Sequence, residues 1–158
     1  MRKTVITTLL AGFLISGPVS GPALAAPEKI IIDTDIGDDI DDAFVVALAL
    51  KSPEVEVLGI TTDFGDTHAR AAILDRMLGE TGHSDIPVAV GVASNANAAG
   101  FSQRAYGRQG RFARASHPDA VEFILAQIRK YPGQITLVAV APSPNIEALI
   151  ARDPGTFR

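Results

Sequence analysis

The chain contains no cysteine, which excludes both a disulfide framework and a thiolate metal site. It also lacks a strong excess of either charge. Fourteen basic against 18 acidic residues leave a net charge of −4, a mild value that argues weakly against a nucleic acid partner. There is no P-loop, no G-x-G-x-x-G fingerprint and no G-x-S-x-G elbow. Three common routes to phosphate, dinucleotide and serine-hydrolase chemistry therefore lack their motif. No internal repeat or low-complexity tract occurs. What remains is 158 residues, 47% of them hydrophobic, enough for one domain with a core.

The N-terminus carries an address. Arg2 and Lys3 are followed by an uncharged apolar stretch from Thr4 to Gly17, then by small residues ending in Ala23-Leu24-Ala25. That order predicts a secretory signal peptide over 1–25, cleaved after Ala25, and a secreted or periplasmic mature domain over 26–158. The apolar stretch is too short for a comfortable membrane span.

Along the mature chain, strands are expected at Lys29–Asp33, Val55–Thr62, Pro87–Val90 and Ile135–Val140. Helices are expected at Asp41–Lys51, at Thr67–Gly79 with Thr67 as cap and Gly79 as stop, at His117–Tyr131, and from Asn145 to Arg152. The alternation predicts an α/β fold: an open, mostly parallel, Rossmann-like sheet with helices on both faces. One irregular stretch, Gly91 to Ser116, carries Arg104, Arg108, Arg111 and Arg114. It reads either as a lid over a site or as a solvated basic loop.

Open parallel sheets bind ligands beyond the carboxyl ends of their strands. The first such end reads Asp33-Thr34-Asp35-Ile36-Gly37-Asp38-Asp39-Ile40-Asp41-Asp42, six aspartates in ten residues with no base among them. The second reads Asp63-Phe64-Gly65-Asp66, and the fourth Ala141-Pro142-Ser143-Pro144-Asn145. Crowded carboxylates raise one another's pKa unless a cation sits among them. Helix capping needs one or two acids, not six. Oxygen-only ligation favours calcium or magnesium over zinc. The spacing does not fit an EF-hand, whose sixth position is glycine and twelfth glutamate; counted from Asp33, the glycine falls fifth and Phe44 twelfth.

These segments resemble the inosine–uridine-preferring nucleoside hydrolases. The resemblance is carried by Asp33-Thr34-Asp35-Ile36-Gly37 with Asp41-Asp42-Ala43, by Gly59-Ile60-Thr61-Thr62-Asp63-Phe64-Gly65-Asp66, by Ile86-Pro87-Val88 with Gly91, and by Leu137-Val138-Ala139-Val140-Ala141-Pro142-Ser143-Pro144-Asn145-Ile146. It implies calcium-dependent hydrolysis of the N-glycosidic bond of a ribonucleoside. By the same resemblance, Asp35 and Asp42 ligate calcium through their carboxylates and Val140 through its carbonyl. Asp35 is also the general base, and Asp41 and Asp66 contact the ribose. The first loop is two residues longer than the family pattern, so the roles of Asp38, Asp39 and Asp41 stay open. Asp66 stands where the family has asparagine. Family members are about twice this length, so the resemblance is to an N-terminal half, and this chain is expected to behave as a fragment. A full-length member would be a homo-oligomer. Two other readings are an exported calcium- or ribosyl-binding module without turnover, and a magnesium-dependent phosphohydrolase.

Overall fold

Runs of β-branched residues alternate with alanine- and leucine-rich segments, and the computed structural model turns that alternation into a parallel α/β layer. It describes residues 26–94, 102–108 and 110–156. The strands are β1 (Glu28–Thr34), β2 (Val55–Thr62), β3 (Val88–Val90) and β4 (Ile135–Ala139), in the order β3-β2-β1-β4 and all parallel. The helices are α1 (Asp41–Lys51), α2 (Thr67–Thr81), α3 (Arg104–Gly107), α4 (Ala120–Lys130) and α5 (Pro144–Arg152).

Successive residues of a strand face opposite sides of the sheet, and β1 shows it. Ile30 and Ile32 pack with Val46 of α1 and with Leu74 and Leu78 of α2. Ile31 packs with Ile124 and Leu125 of α4 and Leu149 of α5. Both faces are thus covered, as expected. Gly59 in β2 permits the second of these layers: a Cβ there would come within 2.4 Å of the Phe123 ring.

The helix expected from His117 begins at Ala120, and both ends of α2 differ from expectation. The N-cap of α2 is Asp66, not Thr67, and its Oδ1 accepts from the Ala69 amide at 3.0 Å. The helix also runs through Gly79 and stops at Gly82, whose φ of 80° suits glycine. Gly79 serves packing instead: a Cβ there would lie 2.2 Å from the Phe112 ring. The acids opening α1 do not cap it either; its N-cap is Ile40, without a side-chain bond.

Two arginines of the arginine-rich stretch are anchored, while Arg108 and Arg111 are exposed. Arg114 donates to the carbonyls of Ser84 and Ile86 and pairs with buried Asp75, which also meets His117 Nε2 at 3.0 Å. Arg104 pairs with Asp66. The predicted signal peptide and the middle of the suspected lid, 95–101, lie outside the described residues. Among the described residues, no helix is long and apolar enough to cross a membrane.

Candidate active site

From β1 the chain builds β2 and β3 to one side and later returns to add β4 on the other. In open α/β sheets such a reversal marks where ligands bind, here beyond the carboxyl ends of β1 and β4. Hydrogen bonds tie the loops there together. The Val140 amide donates to the Asp33 carbonyl and the Asp63 amide to the Thr34 carbonyl, both at 2.9 Å. The Asn145 amide donates to Asp63 Oδ2 at 3.1 Å.

The acidic loop sorts its aspartates by environment. Asp42 is buried at the start of α1, and its Oδ1 accepts from the Thr34 hydroxyl at 2.6 Å. Asp35 is half-buried. Burial raises the pKa of both carboxyls above the ordinary 3.8. The charge of Asp41 raises both further, as does that of Asp35 at Asp42, while the Arg70 guanidinium opposes the rise at each. The three predicted residues Asp35, Asp41 and Asp42 therefore share one electrostatic neighbourhood. Asp38 is turned to Arg70 Nη2 at 3.0 Å, and the Asp39 side chain is exposed. Asp66 lies at the end of the next strand, one oxygen capping α2 and the other held by Arg104.

The oxygen donors suit a hard cation in kind. Two partly desolvated carboxylates sit in a negative neighbourhood that raises both, the condition that a divalent ion relieves. Val140 is 40% exposed, and no described residue donates to its carbonyl. In number they are few, since calcium takes six to eight oxygens. Among the described residues no cluster of three or more acidic or histidine side chains is placed to hold a metal ion. Ligands beyond these residues would have to complete the shell.

A second, buried acid pair lies beneath this edge. Asp33 and Asp63 are both fully buried. Asp33 Oδ1 accepts from the Thr61 hydroxyl at 2.5 Å and from the Asn145 side-chain amide at 2.8 Å. Its Oδ2 has no donor among the described residues. Burial and the charge of Asp33 push Asp63 up to about 7, and burial raises Asp33 as well. One proton between the two carboxylates accounts for both facts. Sequence reading placed these residues at strand ends but assigned them no role. The signal was available in principle: Asp33 stands next to the end of β1 and Asp63 directly after the end of the adjacent β2.

With the geometry in place, likeness to known proteins identifies the family. A sequence model of the inosine–uridine-preferring nucleoside hydrolases matches residues 30–158. The chain belongs to that family. Uridine nucleosidase 1 of Arabidopsis thaliana is 34% identical over 150 residues, covering 87% of this chain and 44% of the relative. A probable uridine nucleosidase 1 of Oryza sativa is 33% identical, covering 80% and 42%. Among solved structures, a plant nucleoside hydrolase superposes with a TM-score of 0.69 at 32% identity, covering 82% of this chain and 44% of its own. A purine-preferring ribonucleoside hydrolase of Gardnerella vaginalis gives 0.65 at 26%, covering 82% and 45%. The chain thus spans less than half the length of these relatives.

Proposed function

We propose that this chain forms the metal- and ribose-binding part of a hydrolase acting on the N-glycosidic bond of ribonucleosides, with calcium as its ion. The observation that carries the reading is the convergence of Asp35, Asp41 and Asp42 beyond β1, inside the region that matches the family. Asp35, Asp42 and the Val140 carbonyl would hold the ion. When bound, calcium would orient a water and make it easier to deprotonate. Asp35 then has the chemistry of a general base. Burial raises its pKa above the ordinary carboxylate value, which strengthens it as a base, and the Arg70 charge opposes the rise. Asp41 is exposed at the mouth and can accept from a ribose hydroxyl. The summed negative charge favours an oxocarbenium-like transition state. Asp66 adds a second acceptor, with Arg104 beside it as donor.

The metal is tested first. Millimolar calcium should raise the melting temperature, because an ion bound only by the folded state stabilises it. Asp35→Ala and Asp42→Ala should abolish the rise, whereas Asp39→Ala should keep it. Equal responses in all three variants would overturn the ligand assignment. Activity is tested by ribose release from uridine and inosine. The 158 residues span less than half the length of the relatives, and by themselves they should turn over poorly. Turnover abolished by Asp35→Ala would support the hydrolase reading, and cleavage of phosphate esters in magnesium would overturn it. We further infer export, which N-terminal sequencing of secreted material checks; an intact Met1 would refute it.

A further inference from the structure

Arg70 takes no part in the family resemblance, yet it is fully buried. A buried guanidinium is costly unless its donors are satisfied. Its Nε donates to the Phe64 carbonyl at 2.8 Å, and its Nη1 to the carbonyls of Asp35 and of Ile36, the latter at 2.9 Å. Its Nη2 meets Asp38 Oδ2 at 3.0 Å. Three of these four acceptors are neutral backbone oxygens, and the one carboxylate is about half exposed. An ion pair alone would not need them.

The same loop is gripped from elsewhere. The Gln103 amide donates to the Gly37 carbonyl at 2.9 Å, Ser102 Oγ to that of Asp38 at 2.9 Å, and Gln103 Nε2 to that of Asp39 at 3.1 Å. Five consecutive carbonyls, from Asp35 to Asp39, therefore each accept a bond from outside the loop. With its backbone oxygens occupied, this loop offers a ligand its side chains. Arg70 also reaches the next strand end. Phe64 has a φ of 58°, a conformation costly for a bulky residue. The Asp63 carboxylate fixes its amide and Arg70 fixes its carbonyl.

We propose that Arg70 is a positioning residue whose planar fork, rather than its charge, joins the loops after β1 and β2 and so presents the Asp35 and Asp42 carboxylates together. The inference rests on the calcium reading above for its ligand, but the staple itself exists without the ion. Lysine keeps the charge and cannot donate to diverging in-plane acceptors.

Two measurements on the 158-residue chain decide it: amide hydrogen exchange in chelator, and calcium or terbium titration. In Arg70→Lys, exchange across residues 36–40 should accelerate at least about tenfold while β1 and β2 stay protected, and ion affinity should fall about 10- to 100-fold, as for other groups that orient metal ligands. Asp38→Asn removes the ion pair and leaves the carbonyl bonds, so it should keep loop exchange and affinity within about threefold of the parent. Parent-like behaviour of Arg70→Lys overturns the proposal. So does an Asp38→Asn variant as impaired as Arg70→Lys, since charge would then be the cause. Should Arg70→Lys fail to fold, the Asp38→Asn result decides between fork and charge. A parent that takes up neither ion refutes the calcium reading, while loop exchange still judges the staple.

Discussion

Replacing Asp33 by asparagine should abolish most of the loss of stability that this protein undergoes between mildly acidic and mildly alkaline pH. In the folded state Asp63 holds its proton up to about 7, against 3.8 for an ordinary aspartate. Between those values the folded chain binds more protons than the unfolded one. Stability from this pair is therefore full near pH 4 and is lost as pH rises through 7. Linkage with those two pKa values gives a loss of roughly 2.5 kcal/mol between pH 5 and pH 8, an upper figure because the pair can relax. For a chain of this size that is a fall of roughly 5–10 °C in melting temperature. An asparagine in place of Asp33 would imitate the protonated pair. Its carbonyl oxygen could keep the bonds from Thr61 and Asn145. Its amide would occupy the Oδ2 position, which lacks a donor, and could donate to the Asp63 carboxylate. The assay is thermal or urea unfolding of parent and Asp33→Asn at half-unit steps from pH 5 to 8, in chelator. The two curves should converge near pH 5 and separate above pH 7, with the variant more stable. A parent whose stability is flat over this range, or a variant with the parent's slope, would show that the carboxylates share no proton.

Other outcomes follow from the same geometry. Asn145→Ala strips two donors and one acceptor that join Asp33, the Thr62 carbonyl and the Val92 amide, and should cost about 2–4 kcal/mol in urea unfolding. Gly91→Ala should cost about 1–3 kcal/mol, because its Cβ would meet the Thr62 carbonyl at 2.0 Å and the Asn145 amide at 2.3 Å; parent-like unfolding would contradict the close approach. Calcium at a hundred times its dissociation constant should add about 2.7 kcal/mol to the parent, measurable by calorimetry, and little to Asp42→Ala.

The elements most legible in the sequence were those with an uninterrupted pattern. Asp41–Lys51 and Val55–Thr62 were read to the residue, because apolar runs there are bounded by acids or turn residues. The acidic edge was legible for the same reason: six aspartates after a strand exceed any capping need. What was hidden depended on contacts across the fold. Gly79 looked like a helix stop because nothing local shows that Phe112 packs on it. Asp66 caps α2 where the sequence alone points to Thr67, because the side-chain bond to the Ala69 amide depends on the turn before the helix. Arg70 was hidden by its type, since arginine on a helix is normally surface. Its position was the clue: Arg70, Ile73 and Leu74 fall at i, i+3 and i+4, so the guanidinium shares the face that packs on the sheet.

The strand order has a consequence for the folding reaction. The bond from Thr61 to Asp33 spans 28 residues, and that from Asn145 to Asp33 spans 112. Closing the longer loop costs about 1.2 kcal/mol more in chain entropy, and such non-local pairings slow folding. We therefore expect β1 and β2 to pair first and β4 to dock late. The docking of β4 brings Asn145 onto Asp33 and completes the burial of the acid pair. Proton uptake by that pair should then coincide with the last folding step, and stopped-flow refolding with a pH indicator would time it. Uptake in the earliest phase would place the docking of β4 first.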